Sequence, residues 1–206
     1  SVWPHAWYVK DGAGVDLILD GVRINRYGCT NEWEETGPDG VGTFVHEFSH
    51  VLGLPDLYTT DYGSAASLTP GAYDALDYGP YNNDGRTPPY YSIFERNAMG
   101  WIEPEELIEG CGRSLKLTTI DENHHGYIIN SPETNGSSTA EFFLIENRQQ
   151  TGWDEFIPGH GMLIWHIDYN PSIWTANAPN NSSSHQYVDI EEANGNANNN
   201  NNATMA

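Results

Sequence analysis

Two histidines and a glutamate stand at metal-site spacing in the stretch VGTFVHEFSHVLGLPD, residues 41–56. His46 and His50 are four residues apart, so in a helix both imidazoles project from adjacent turns of one face and can bind one cation. Glu47 lies beside them. A zinc ion held by two imidazoles and a third protein ligand keeps one position open for water and lowers the pKa of that water towards neutrality.

The role predicted for Glu47 is proton transfer. Its carboxylate can accept a proton from the water that attacks a carbonyl group and then donate that proton to the leaving amine. The His-Glu-x-x-His pattern is a known signature of zinc peptidases. It therefore predicts peptide hydrolysis, with Glu47 as general base and general acid and with zinc as Lewis acid.

The residues after His50 indicate a third zinc ligand. Gly53 can take a positive φ, end the helix and turn the chain sharply. Asp56 follows, and the pattern His-Glu-x-x-His-x-x-Gly-x-x-Asp resembles the extended metzincin motif with Asp in place of the third His. We therefore expect Asp56 to be the third ligand. Asp61 and Glu95 are alternatives, and Glu95 as ligand would indicate a gluzincin-type peptidase.

An amphipathic helix must position these side chains. Asp39, in the turn that precedes this helix, is expected to cap it. Apolar residues recur at three- and four-residue steps and predict a stripe that packs on a core. The stripe consists of Val41, Phe44, Val45, Phe48, Val51 and Leu52.

The remaining pattern predicts an α+β fold. Asp20 and Gly21 favour a turn between two strands, at 15–19 and 22–27, and a short helix is expected over 93–101. Alternation with a period of two predicts four later strands, at 114–120, 126–130, 141–147 and 161–168.

These elements suggest three parts of the chain. A metzincin-like catalytic module is predicted at 1–110, and a β-rich region that packs on it at 111–192. The tail at 193–206 is Asn-rich and of low complexity, and we expect it not to join a core.

Composition narrows the partners and the compartment. Against 29 acidic residues there are 8 basic ones, and the formal charge of −21 repels nucleic-acid phosphates and anionic membrane surfaces. No stretch approaches the roughly 18 consecutive apolar residues of a membrane helix, so we expect neither a nucleic-acid partner nor membrane insertion. Residues 1–20 lack a signal-peptide layout, so any export signal is expected outside this numbering. Cys29 and Cys111 permit one disulfide, and two buried thiols are equally compatible with the sequence.

Three segments resemble the immune inhibitor A-like family of secreted bacterial metallopeptidases, and the resemblance extends over most of residues 3–192. They are HEFSHVLGLPDLY at 46–58, YDALDYGPYNNDGRTPPYYSIFERNAMGWIEP at 73–104 and LIENRQQTGWDEFIPGHGMLIWHIDYN at 144–170.

The resemblance implies an extracellular zinc endopeptidase with broad action on proteins and peptides. It also implies a prosegment in the precursor and stabilisation by calcium. His46, His50 and Asp56 match the zinc-ligand positions of the family, and Glu47 matches its catalytic glutamate. Calcium ligands are expected among Asp61, Asp74, Asp77, Asp154 and Asp168.

The chain departs from the family pattern in two places. Leu76 stands where the family carries a methionine in a tight turn beneath the zinc, and because the two side chains have similar volumes we expect the change to be tolerated. Only 40 residues precede the predicted helix, fewer than a metzincin upper sheet needs, so part of that subdomain is expected upstream of residue 1. Tyr78, just after the turn, is predicted either to hydrogen-bond the oxyanion or to be a packing tyrosine.

A protein of another class is the rival interpretation. In it the chain is a catalytically silent module derived from a peptidase, with zinc as a structural staple and a Tyr- and Trp-rich surface that binds peptide or glycan. Glu47 argues against this, because a closed structural site needs no general base. Leu76 and the short N-terminal part argue for it.

Overall fold

The computed structural model describes residues 2–34, 37–63, 68–108, 112, 114–130 and 140–193. These residues form a mixed structure of short helices and small sheets, which is compatible with the α+β class. Among them, no helix has the length and apolar character needed to cross a membrane. The Asn-rich tail from residue 194 onwards lies outside the described residues, as does Cys111. The division of the chain near residue 110 stays a prediction.

The N-terminal region contains three antiparallel strand pairs. Asp20 and Gly21 have φ angles of 50° and 80°, the left-handed conformation that a tight hairpin requires, and the hairpin predicted around them is confirmed. The pairs are β1 (His5–Tyr8) with β4 (Arg26–Cys29), β2 (Leu17–Leu19) with β3 (Val22–Ile24), and β5 (Trp33–Glu34) with β6 (Gly37–Pro38); α1 (Val9–Ala13) follows β1.

The C-terminal region contains a five-stranded sheet in the order β11-β10-β9-β8-β7. All neighbours are antiparallel except β7 and β8, and β9 and β10 pair over nine residues each. Three predicted strands are therefore confirmed, as β8, β9 and β10. The strands are β7 (Glu105–Glu106), β8 (Tyr127–Asn130), β9 (Ala140–Arg148), β10 (Gly161–Tyr169) and β11 (Val188–Ile190).

The strand predicted at 114–120 is wrong. Ile120 begins a short helix, α4 (Ile120–Asn123), and Thr119 makes only an isolated bridge to Asn147. The free edge of β8 is taken by β7, and the segment meets the edge of β9 at the Thr119 bridge.

The helix predicted around the histidines is confirmed as α2 (Val41–Leu52). It ends at Gly53, whose φ of 106° lets its backbone N–H donate to the carbonyls of Ser49 and His50. The predicted Asp39 cap is wrong, because Gly40 is the N-cap and makes no side-chain cap bond.

A neighbouring loop replaces that cap. The Gly42 N–H donates to the Gly85 carbonyl over 2.8 Å. A Cβ at Gly42 would lie only 1.9 Å from the Pro80 carbonyl oxygen, so glycine permits this close approach.

The buried side of α2 differs from the predicted apolar stripe. Ser49 is fully buried, and its hydroxyl hydrogen-bonds the Val45 carbonyl and the Tyr91 hydroxyl, each over 2.6 Å. Phe44 and Phe48 are 53% and 44% exposed and stack on each other with ring centroids 5.7 Å apart. The expectation that the whole stripe packs on a core is therefore wrong, since the helix turns its flank of small residues to the neighbouring loop.

Two further short helices flank the sheet. In α3 (Ile93–Ala98), Ser92 and Glu95 form a capping box, and the helix ends earlier than the predicted residue 101. Following β10 is α5 (Pro171–Thr175). The core joins these parts to the segments that flank the histidines: Leu54, Leu57, Tyr73, Ala75, Leu76, Ile93, Phe94, Ile120, Leu144, Ile157, Leu163, Trp165, Ile167, Val188 and Ile190.

Candidate metal centre

Three side chains meet beside α2. The Nε2 atoms of His46 and His50 are 3.2 Å apart, and each lies 3.1 Å from Oδ1 of Asp56. The turn at Gly53 brings Asp56 back alongside the helix. Within the described residues, these three form the one group of at least three His, Cys, Asp or Glu side chains whose ligand atoms lie close enough for a metal ion.

Backbone carbonyls orient both imidazoles. The Nδ1 of His46 lies 3.0 Å from the Ala75 carbonyl, and the Nδ1 of His50 lies 2.9 Å from the Leu54 carbonyl. Because a carbonyl can only accept, each Nδ1 must carry the ring proton. In the neutral imidazoles the Nε2 lone pairs therefore face each other and Asp56.

These three atoms fit a zinc ion. Zinc bonds of about 2.0 Å in a tetrahedral arrangement place neighbouring ligand atoms about 3.3 Å apart, close to the 3.1–3.2 Å observed. Oδ1 of Asp56 is buried without a hydrogen-bond donor. A group of acceptors without a donor needs a cation or a proton between them.

The electrostatics of the group favour the charged carboxylate. Burial by itself would raise the pKa of Asp56, but the contacts with His46 and His50 hold that pKa well below its usual range. Opposing effects also act on His50. Burial lowers its pKa, but the hydrogen bond to Asp56 and the negative charge of Asp56 raise it, and the net shift is upward. The carboxylate is thus ionised and available to a cation.

Glu47 lies next to His46 on α2 and lines the same cleft as His46, His50 and Asp56. Burial raises the pKa of its carboxyl group, an effect that His46 and His50 oppose and that Asp56 reinforces. The carboxylate is therefore a stronger base than an exposed glutamate.

The cleft has a volume of about 940 Å³ and is formed by distant parts of the chain. Its lining comes from the N-terminal segment around β1, from α2 and the 53–58 segment, and from the end of β10 and α5. Its aromatic lining residues are Trp3, Trp7, Tyr8, Tyr27, Tyr58, Tyr169 and Trp174.

The alternative zinc ligands lie elsewhere. Glu95 is buried in the capping box of α3, where its Oε2 accepts from the Ser92 N–H over 2.5 Å. Asp61 is in an exposed loop, where it accepts from the Gly63 N–H. Neither belongs to the group around His46.

Tyr78 does not line the cleft. It is 52% exposed, and its ring packs against Tyr81 with centroids 5.2 Å apart. Its proposed contact with the oxyanion stays a prediction. Tyr58 is a cleft tyrosine that the sequence interpretation missed, although it follows Asp56 by two residues; its ring stacks on His46 at 6.1 Å, and burial and the charge of Asp56 raise its pKa.

The turn that carries Leu76 is hydrogen-bonded to the chain on both sides of the candidate centre. Leu76 is fully buried, its carbonyl accepts from the Leu57 N–H over 2.9 Å, and the preceding Ala75 carbonyl orients His46. The turn therefore contacts His46 and the segment that follows Asp56; its place beneath a zinc ion stays a prediction.

The candidate calcium ligands have partners within the described structure: Asp61 accepts from the Gly63 N–H, and Asp74 accepts from the Leu76 N–H. Asp154 is paired with Arg148, Asp168 with His185, and Asp77 accepts from the Gly71 N–H. They form no metal-binding group with one another among the described residues. Calcium binding stays a prediction.

Comparison with known proteins gives one informative similarity. No protein-family model matches the chain. The chain is 28% identical over 156 residues to a protein named Immune inhibitor A from Bacillus thuringiensis subsp. alesti, and the alignment covers 65% of this chain and 22% of that protein. The chain thus spans about a fifth of the length of this relative. The similarity points to a relation with that protein.

Proposed function

We propose that this chain is a zinc-dependent endopeptidase that hydrolyses proteins or peptides outside the cell, with His46, His50 and Asp56 as the zinc ligands. The observation that carries the proposal is the group of three acceptor atoms 3.1–3.2 Å apart, one of them buried without a donor. The similarity to Immune inhibitor A and the resemblance of three segments to secreted metallopeptidases support it.

A zinc ion bound by these residues would supply a Lewis acid that lowers the pKa of water and polarises a carbonyl group. The protein's part is to keep the ligands in place. The carbonyls of Ala75 and Leu54 fix the orientation of the two rings, which keeps the Nε2 lone pairs directed into the site.

Glu47 moves the proton. Its carboxylate, which lines the cleft, accepts a proton from the attacking water and donates it to the leaving amine. A general base works best when its pKa is near the working pH, and burial shifts Glu47 in that direction.

The cleft suits an apolar stretch of polypeptide. Its volume of about 940 Å³ is at the upper end of the roughly 300–1,000 Å³ of typical ligand sites. Aromatic rings in its lining, among them Trp7 and Trp174, offer flat apolar surface to substrate side chains. The same rings favour the second candidate, a silent module that binds peptide without cleaving it.

Cleavage of an unfolded protein by the zinc-loaded chain tests the proposal. Glu47→Gln keeps the size of the side chain but removes the base, and should lower cleavage by at least about 100-fold while zinc content stays unchanged. Glu103→Gln, at an exposed glutamate, is the matched control and should cleave like the parent.

The outcomes separate the two candidates. Loss of cleavage with a chelator and recovery with added zinc would support the peptidase. A parent chain that binds zinc and peptide but cleaves nothing would support the silent module, and a Glu47→Gln variant as active as the parent would rule out the role of Glu47.

A further inference from the structure

Asp56 is held by a residue 121 positions further along the chain. The side-chain Nδ2 of Asn177 donates to Oδ2 of Asp56 over 2.6 Å, and the backbone N–H of Asp56 donates to Oδ1 of Asn177 over 2.7 Å. The two residues thus make a reciprocal pair that fixes both the main chain and the carboxylate of Asp56.

Because of this pair, the two carboxylate oxygens of Asp56 have different contacts. Oδ2 of Asp56 is taken by Asn177, whereas Oδ1 faces His46 and His50 and has no donor of its own. Rotation of the carboxylate would break the bond to Asn177. The asparagine therefore selects the orientation in which one oxygen is directed at the candidate metal position.

The position of Asn177 is itself well determined. It has a φ of 55°, in the left-handed region that asparagine adopts more readily than most residues, and its N–H donates to the Trp174 carbonyl at the end of α5. The residues that follow bind the chain after Asp56. Those bonds are Thr60 Oγ1 to the Asn177 carbonyl, Thr60 N–H to Asn181 Oδ1, Asn180 Nδ2 to the Leu57 carbonyl and Thr59 Oγ1 to the Asn180 carbonyl.

We propose that Asn177 is a positioning residue for the metal ligand Asp56, so that the segment after α5 completes the metal centre built on α2. The inference rests on the proposed zinc site. An outer partner of this kind typically changes metal affinity by about 10- to 100-fold when it is removed.

The test compares two glycine variants in the full chain. Asn177→Gly tolerates the positive φ and removes both bonds to Asp56. Asn181→Gly removes bonds to Thr60 and leaves Asp56 untouched. Zinc affinity is measured by competition with a chelator, the absorption spectrum of the cobalt-substituted protein reports the ligand geometry, and the melting temperature of the metal-free protein reports the fold.

We expect Asn177→Gly to weaken zinc binding by about 10- to 100-fold and to alter the cobalt spectrum. Asn181→Gly should do neither, even where it lowers the melting temperature as much. Equal zinc affinity in Asn177→Gly and the parent would overturn the positioning role, as would equal weakening in both variants.

Two further outcomes keep the test decisive. A parent chain that binds no zinc would overturn the proposed metal centre itself, and that result is distinct from the failure of Asn177 alone. Should Asn177→Gly not fold, Asn177→Asp takes its place, because aspartate also tolerates a positive φ, keeps an acceptor for the Asp56 N–H and removes the donor to the Asp56 carboxylate; loss of the fold in both would overturn a role confined to the metal ligand.

Discussion

Two buried sites, one around Arg148 and one around Asp56, differ in how the negative charge of their carboxylates is balanced. Near α3, Arg148 is fully buried and donates to both oxygens of Asp154 over 2.5 Å and to Oε1 of Glu146 over 3.2 Å. Glu146 also accepts from Trp165 and from the Ile93 N–H. This group contains its own cation and its donors.

The group beside α2 lacks such a partner. Asp56 is 6% exposed, its Oδ1 has no donor, and its neighbours there are the lone pairs of two imidazoles. The two sites differ in where the balancing charge comes from: Arg148 supplies it to Glu146 and Asp154, whereas the three acceptor atoms of the second site converge on a position that a proton or a cation can occupy.

Removal of the buried guanidinium of Arg148 should have the largest effect on stability. Arg148→Met leaves Glu146 and Asp154 buried and unpaired, and should lower the free energy of unfolding by about 3–5 kcal/mol. Urea unfolding measures this. Arg86→Met, at a side chain that is 70% exposed, is the control and should change little. An Arg148→Met chain as stable as the parent would mean that the acidic cluster does not need its cation.

Addition of zinc should have the next largest effect on the free energy of unfolding. With zinc at 100 times its dissociation constant, binding adds about 2.7 kcal/mol to the free energy of unfolding. Asp56→Ala should lose most of this gain, and Asp61→Ala should keep it. Zinc that stabilised the Asp56→Ala chain as much as the parent would show that another residue is the third ligand.

A third prediction concerns pH and the fully buried carboxyl group of Asp74. Burial raises the pKa of Asp74 to about 7, above the ordinary value of about 3.9. Between these values the native chain binds the proton and the unfolded chain does not, so stability falls as pH rises from about 4 to about 7, by at most about 1.4 kcal/mol per pH unit for this group.

Asp74→Asn should flatten that slope. Unfolding is measured with a chelator present, so that metal binding does not contribute to the pH dependence. Asp84→Asn, at a side chain that is 87% exposed, should retain the slope of the parent. If Asp74→Asn retained it as well, another buried carboxyl, such as Glu95 with its raised pKa, would account for it.

The same contrast explains what the sequence could predict. His46, His50 and Gly53 are close in sequence, and helix geometry alone places the two imidazoles on one face. Asn177 and Arg148 act on groups that tertiary structure brings to them, and an asparagine or an arginine carries no spacing signal of its own. Their roles were therefore not predictable from local pattern.

Periodicity failed where a small residue decided the packing. The step of three and four residues predicted that Phe44 and Phe48 are buried, but Gly42 and Ser49 allow a closer approach on their own side of α2. Close contact of backbones there determines which side of the helix faces the neighbouring loop. The spacing of apolar residues shows which face of a helix could be buried, whereas the shape of the neighbouring segment determines which face is buried in the fold.

The smallest effect is expected at Leu76, in the turn next to the candidate metal centre. Leu76 is fully buried in the turn whose Ala75 carbonyl orients His46. Leu76→Met conserves volume and should change the free energy of unfolding by less than about 1.5 kcal/mol, with zinc affinity equal to that of the parent. Leu163→Met, buried in β10 away from the cleft, is the matched control. A gain in zinc affinity for Leu76→Met alone would show that the side chain at this position acts on the candidate metal centre. Equal zinc affinity in the two variants would mean that the turn contributes through its backbone. The backbone groups concerned are the Ala75 carbonyl, which contacts His46, and the Leu76 carbonyl, which accepts from the Leu57 N–H.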